Sequence, residues 1–220
     1  MLKVLLADDH RMMRDGLKAV LQRGEIQVVG EAATGHEAIA LAHRLQPQVV
    51  IMDIAMPELN GLDATRRLVA ELPGIKVIGL SMNADRRYVL AMFEAGAVGY
   101  LLKNSASDEL IQAVRIVAGN HRYLSSAIDD VVLDEVPLSS PTTERRRASS
   151  DAHHIKLLSQ REREVLQLLA EGKSSKEIAT CLAVAIPTVE THRRQIMNKL
   201  NLRTIAELTK YAVREGLTSV

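Results

Sequence analysis

VVIMDIAMPELNG, residues 49–61, runs four apolar residues straight into a carboxylate, Asp53, and follows it with Met56-Pro57 and Gly61. An apolar run this short reads as a buried strand. A strand that closes on a negative charge is either a tolerated end or a device for placing that charge. The ends of the neighbouring strands decide between the two.

Similar runs lie on both sides: VLLA (4–7), VVG (28–30), KVIGL (76–80) and VGYLL (98–102). Between them, apolar residues recur three or four apart, as in Met13, Leu17, Val20 and Leu21, or Leu110, Ile111, Val114 and Val117. Thr34-x-x-Glu37 reads as a capping box opening the second helical segment. Five strands alternating with five helices over residues 1–120 predict an α/β fold, a five-stranded parallel sheet covered on both faces. Right-handed crossovers leave the flavodoxin-like order 2-1-3-4-5 as the expected topology.

That topology answers the opening question. Ligands in such folds bind beyond the carboxyl ends of the strands, at the switch point between strands 1 and 3. Asp8 and Asp9 end strand 1 and Asp53 ends strand 3, so three carboxylates should share one crevice. Their mutual repulsion calls for positive charge. A hard cation, Mg²⁺ or Mn²⁺, prefers such oxygens, and Lys103 after strand 5 can add an ammonium. Ser81 offers a hydroxyl at the end of strand 4. Together these make a phosphoryl-transfer site in which Asp53 is the acceptor and nucleophile.

The chain has 220 residues, room for one large or two modest domains, and is 47% apolar and 25% charged. No apolar run approaches the ~20 residues that span a bilayer, and MLKVLLADDH is broken by acids too early for a signal peptide, so no membrane partner is expected. A single cysteine, Cys181, fits a reducing cytoplasm. With 2% aromatics and no Trp, base stacking is not the binding mode. Residues 1–120 carry 13 Lys and Arg against 14 Asp and Glu, residues 121–155 carry 4 against 6, and residues 156–220 carry 11 against 7. The basic tail end points to an anionic partner.

Residues 121–155 read as a linker, with a helical candidate at 125–136 and then a Ser/Thr/Pro-rich stretch holding Arg145-Arg146-Arg147 and His153-His154. Residues 156–220 read as an all-α unit of four short helices, about 160–171, 175–182, 187–200 and 204–216, with capping boxes at Ser159-x-x-Glu162 and Ser174-x-x-Glu177. In the third helix Val189, His192, Ile196 and Leu200 share one face, which packs inward. The other face shows Glu190, Thr191, Arg193, Arg194, Gln195 and Asn198, with Lys199 at its edge. Ile178, Ala179 and Leu182 supply core to the preceding helix, and the short AVA (183–185) connection completes a helix-turn-helix plan for double-stranded DNA.

The acid pair Asp8-Asp9, Asp53 with Met56-Pro57 and Gly61, Ser81, Tyr100 and Lys103 resemble the receiver domain of a bacterial two-component response regulator over residues 1–120. Leu158-Ser159-x-Arg161-Glu162-x-Glu164-Val165-Leu166, Gly172, Lys176-Glu177-Ile178-Ala179, Thr188-Val189-x-Thr191-His192 and Lys199-Leu200 resemble a LuxR-type output module, and the whole chain resembles the NarL/FixJ class. The resemblance implies that Asp53 takes a phosphoryl group from a sensor histidine kinase. It implies that Asp9, Asp53 and the Ala55 carbonyl hold Mg²⁺ directly and Asp8 through water, and that Tyr100 is a switch turning inward as Ser81 moves to the phosphoryl group. Glu190, Thr191 and Arg194 would face bases, with Arg193 and Asn198 on the same surface, while Lys173, Ser175, Lys176 and Lys199 would touch backbone. The phosphorylated form would be a homodimer, with the last helix as the dimer contact. Beyond Mg²⁺-dependent self-phosphorylation from a phosphodonor and slow autodephosphorylation, no enzyme activity is implied.

The chain departs from the family pattern in three places. Asn104 stands where Pro often follows the lysine, and Ala183 and Ala185 replace the common Gly and Ser. Three rivals stand beside this reading, one of them a constitutive DNA binder with a vestigial receiver. A phosphohydrolase working through an aspartyl phosphate would need a second acid at position 55, which is Ala, and a pure interaction protein would use the basic unit on an acidic partner.

Overall fold

The computed structural model describes residues 1–105, 107–128 and 157–218. The linker features Arg145-Arg146-Arg147 and His153-His154, and residues 129–136 of the helical candidate, lie outside the described residues. The chain forms two compact units, Met1–Thr143 and Glu144–Val220.

In the first unit β1 (Lys3–Ala7), β2 (Gln27–Ala32), β3 (Val49–Asp53), β4 (Lys76–Ser81) and β5 (Gly99–Leu102) alternate with α1 (Arg11–Arg23), α2 (Gly35–Leu45), α3 (Gly61–Glu71), α4 (Arg86–Glu94) and α5 (Ser107–Ala118). All strand pairs are parallel, in the order β2-β1-β3-β4-β5-β6. The sixth strand, β6 (Tyr123–Leu124), is an addition to the expected five. The chain leaves α5 through Asn120, in the left-handed region at φ 67°, and returns beside β5. There the amides of Tyr123 and Ser125 donate to the carbonyls of Val98 and Tyr100, both at 3.0 Å. Two residues carry no periodicity to read, which is why this edge was invisible in the pattern.

The sheet sorts its side chains by parity. Leu5, Ala7, Val50, Met52, Val77 and Tyr100 face a core shared with α2, α3 and α4. Val4, Leu6, Val49, Ile51, Ile78 and Leu101 face the core shared with α1 and α5. A one-residue slip of β3 would swap its two faces, so the register is held by packing on both sides. Truncating Ile51 to Ala would cost about 2–5 kcal/mol. Close approach of the backbone requires glycine at position 61. A Cβ on Gly61 would collide with the Asp53 carbonyl oxygen, so only glycine lets α3 begin against the end of β3. A Cβ on Gly79 would meet Met92 Cγ at 2.7 Å.

One local expectation is corrected. Thr34 caps α2 by accepting from the Glu37 amide at 3.2 Å, but the Glu37 carboxylate accepts from the amide of Ala33, not of Thr34. The reciprocal box is therefore shifted by one residue.

The second unit holds α6 (Gln160–Ala170), α7 (Ser175–Cys181), α8 (Ile186–Leu200) and α9 (Ile205–Arg214). Its core gathers Val165, Leu166, Leu169, Ile178, Val189, Ile196, Leu208 and Ala212. Both expected capping boxes form, and Thr204 with Glu207 makes a third on α9. Gly172, Ala183 and Asn201, at φ 81°, 51° and 53°, turn the chain between successive helices.

Candidate functional sites

The first site is built from strand ends. β1 delivers Asp8, β3 ends on Asp53, β4 ends on Ser81, and Lys103 follows β5. Parallel pairing brings all four ends to one edge, and Lys103 N donates to the Ser81 carbonyl at 2.8 Å. Lys103 Nζ donates to Asp53 Oδ2 at 2.7 Å and lies 2.7 Å from Asp8 Oδ2. The second approach is an ion pair whose angles miss those of a directed hydrogen bond, so Asp8 Oδ2 is buried with charge compensation and no aligned donor. Asp8 Oδ1 accepts from His10 N at 2.8 Å, and Asp53 Oδ1 from Ala55 N at 3.3 Å.

Asp8 and Asp53 are buried, while Asp9 stands at the solvent edge. Burial pushes the Asp53 carboxyl up to about 6; Lys103 and the Ala55 amide oppose that rise and the Asp8 charge adds to it. For Lys103, burial acts to lower the ammonium's pKa, but Asp53 and then Asp8 outweigh it and the net shift is upward. Around physiological pH the Lys103 amine is thus charged.

Ligand atoms of Asp8, Asp9, His10 and Asp53 all lie within 4.8 Å of one another. Three carboxylates against one ammonium leave negative charge uncompensated, and an oxygen-rich donor set with one undirected buried carboxylate oxygen fits a hard divalent cation. His10 was absent from the residues read in the sequence. Its Nδ1 sits 2.7 Å from Asp9 Oδ1, a contact between adjacent residues that no spacing rule marks.

Ser81 Oγ accepts from the Asn83 amide at 3.0 Å, and the Tyr100 hydroxyl donates to the Asn83 carbonyl at 2.8 Å. Tyr100 is fully buried, already turned inward, and burial pushes its phenol up to about 12. The described peptide bonds are all trans, Asn104 included.

The second site is the outer face of α8. Val189 and Ile196 are buried as read, and His192 and Leu200 are half-buried. Glu190, Thr191, Arg194 and Asn198 are exposed, and Arg193 is half-buried. Several expected DNA contacts are engaged within the unit. Ser175 Oγ donates to Glu190 Oε1, and Arg193 lies 3.9 Å from Glu190. Thr191 Oγ1 donates to the Pro187 carbonyl at 2.9 Å. Lys173 stands 3.9 Å from both Glu171 and Cys181 Sγ, and Lys199 Nζ donates to the buried Glu162 at 2.7 Å. Lys176 is exposed.

Residues 4–115 match the family model of the response regulator receiver domain, and residues 156–212 that of the bacterial regulatory proteins of the luxR family. The transcriptional regulatory protein MctR of Rhizobium johnstonii is 39% identical over 219 residues, covering 99% of this chain and 96% of MctR. A LuxR-family two-component response regulator from Aurantimonas superposes with a TM-score of 0.58 at 32% identity, over 60% of this chain and 96% of that one. The response regulator RcsB in its complex with DNA superposes with a TM-score of 0.57 at 25% identity, over 96% of this chain and 98% of that one. No helix among the described residues is long and apolar enough to cross a membrane.

Proposed function

The chain belongs to the two-component response regulators that carry a LuxR-type helix-turn-helix domain, and from that premise we propose that phosphorylation of Asp53 by a sensor histidine kinase controls its dimerisation and its binding to double-stranded DNA. The observation that carries this reading is the convergence of Asp8, Asp53 and Lys103 at 2.7 Å contacts.

An Asp53 carboxylate oxygen forms a bond to phosphorus as the phosphorus–nitrogen bond of the kinase phosphohistidine breaks, and the imidazole leaves with that electron pair. Desolvation makes the Asp53 carboxylate the better nucleophile, and Lys103, which donates to Asp53 Oδ2, is close enough to turn its ammonium toward the oxygens of an incoming phosphoryl group. Asp9 and Asp53, with the Ala55 carbonyl, would hold Mg²⁺ or Mn²⁺, and Asp8 would hold it through water. The cation supplies charge neutralisation to the transferred group. Ser81 is the hydroxyl available to the product. Moving a population from 1:99 to 99:1 takes about 5.5 kcal/mol of differential binding, a quantity that an ammonium contact, a hydroxyl contact and a cation together can reach.

Residues 1–120 form the receiver in this reading, residues 121–155 the linker and residues 156–220 the DNA-binding unit. Glu190, Thr191 and Arg194 read bases, Arg193 and Asn198 support them, and Lys173, Ser175, Lys176 and Lys199 flank the backbone path. The DNA-bound state of RcsB supports the assignment of the C-terminal unit. Acetyl phosphate with Mg²⁺ should label the wild-type chain and leave Asp53→Asn unlabelled. Footprints should cover paired half-sites and strengthen with the phosphodonor. Full labelling of Asp53→Asn would end the proposal for the receiver.

A further inference from the structure

Along α8 and the turn after it lies an open groove of about 530 Å³ lined by Arg193, Arg194 and Arg203, by Met197 and Leu202, and by Glu190 and Asn198. We propose that the Arg203 end of this groove seats the sugar–phosphate backbone of one DNA strand, with Arg203 as a phosphate contact outside the helix-turn-helix itself. The proposal rests on the reading of α8 as the DNA-facing helix and extends it to a residue beyond that helix.

The charge count favours an anion. Glu190 is the one acid of the lining, and it is already held by Ser175 Oγ and approached by Arg193 at 3.9 Å. Arg194 and Arg203 therefore set the sign of the groove, and both are exposed. Guanidinium groups suit phosphate because their donors form a planar fork. The apolar residues select further. A phosphodiester chain alternates charged phosphates with apolar sugar faces, and Met197 and Leu202 add apolar surface to the same lining as the arginines. A small free anion would need enclosing donors, whereas this groove is open to solvent and leaves room for a polymer to pass.

Arg203 is placed by the turn before it. Asn201 ends α8 in the left-handed region at φ 53°, and the Leu202 amide donates to the Met197 carbonyl at 3.0 Å. The amides of Arg203 and Thr204 both donate to the Glu207 carboxylate at 2.9 Å, which holds the backbone under the arginine before any ligand arrives. Lying past the end of α8, Arg203 reaches phosphates, not base edges, so its contribution should be independent of sequence.

The test uses the full chain, a duplex selected by the wild type from a random pool, and an unrelated duplex of equal length. Affinities are measured from about 50 to 200 mM salt. Arg203→Ala should weaken both duplexes by a similar factor, about three- to ten-fold, and make the salt slope shallower by about one. Arg203→Lys should recover most of the loss, and far-UV circular dichroism checks that the variants fold. Unchanged affinity and slope, or a loss confined to the selected duplex, would overturn the proposal. So would pyrophosphate binding that Arg203→Ala removes while DNA affinity stays intact, since the groove would then serve a small anion. If the wild type binds neither duplex in a salt-dependent way, the DNA reading of α8 fails as well. If the wild type binds and Arg203→Ala is indifferent, only the groove proposal fails.

Discussion

Tyr100 donates its hydroxyl hydrogen to the backbone carbonyl of Asn83 at 2.8 Å. The amide of the same residue donates to Ser81 Oγ at 3.0 Å. One peptide segment thus ties the Ser81 hydroxyl at the end of β4 to the buried ring on β5. Burial pushes the phenol up to about 12, so it stays a donor throughout the physiological range. Tyr100→Phe should leave acetyl phosphate labelling of Asp53 within about two-fold, lower stability by about 1 kcal/mol, and shrink the gain in DNA affinity that the phosphodonor produces. Labelling that disappears in this variant would put Tyr100 in the chemistry and refute a purely coupling role.

Asp53 costs the fold something. Its carboxyl rises from 3.8 to about 6, chiefly because it is buried. The folded state therefore binds the proton more tightly than the unfolded state, and stability declines as pH rises from about 4 to about 6, staying at the lower level above that range. Asp53→Asn should stabilise the metal-free protein at pH near 7 by about 1–3 kcal/mol and have little effect near pH 4. Urea unfolding at the two values checks this. An equal gain at both would mean that the carboxylate's desolvation is not the cause.

Lys103 is 7% exposed and stands against two carboxylates. Removing it leaves buried negative charge without its partner, at a cost of about 3 kcal/mol. Lys103→Met should therefore be strongly destabilised without Mg²⁺ and should gain more from added Mg²⁺ than the wild type does. In the Asp53→Asn background the same change should cost less, because one of the two charges is gone. Additive losses in that cycle would sink the idea that the ammonium serves these carboxylates.

The receiver sheet was legible because its strands are unbroken apolar runs, and three of them stop at residues whose chemistry makes no sense in isolation: Asp8-Asp9, Asp53 and Ser81. Topology alone then brought them together, and the structure places Asp8, Asp53 and Lys103 in direct contact. The unread parts share a cause. β6 is two residues long, too short for a period. Asn83 acts through its backbone, so its side chain announces nothing. Lys199 and Glu162 meet across 37 positions, and Ser175 and Glu190 across 15. Charge patterning reads neighbours on one helix and is blind to partners on another.

That Lys199–Glu162 pair makes a separate prediction for the C-terminal unit. Burial acts to raise the Glu162 carboxyl, but the Lys199 ammonium and the Ser159 cap outweigh it and hold the group below its ordinary 4.5. A depressed carboxyl stabilises the fold above its unfolded value and loses that contribution as pH falls through the lower folded value. Helix content of this unit should therefore fall in the acid range below about 4.5. Lys199→Met should flatten that pH dependence and cost about 1–2 kcal/mol at neutral pH. An unchanged acid profile in Lys199→Met would assign the transition to other carboxyls.

The connection between α7 and α8 is suboptimal in two ways that arise from two alanines. Ala183 sits at φ 51°, where an L side chain is strained by roughly 1 kcal/mol and glycine is not. Ala185 is the N-cap of α8 and offers no side-chain acceptor to the amides of the first turn. Pro187 offsets this only in part, by presetting φ near the helix start and removing one amide that would otherwise need a partner. Ala183→Gly should recover about 0.5 kcal/mol after the added freedom of the unfolded chain is counted, and Ala185→Ser about 0.5–1 kcal/mol through a new cap. The two act through separate mechanisms, so the double variant should add them and raise the melting temperature of this unit by several degrees. DNA affinity should hold, since neither side chain lies on the outer face of α8. A double variant no more stable than the wild type would show that the turn is held by the packing of Leu182 and Val184 around it, with the backbone conformation at 183 carrying no strain.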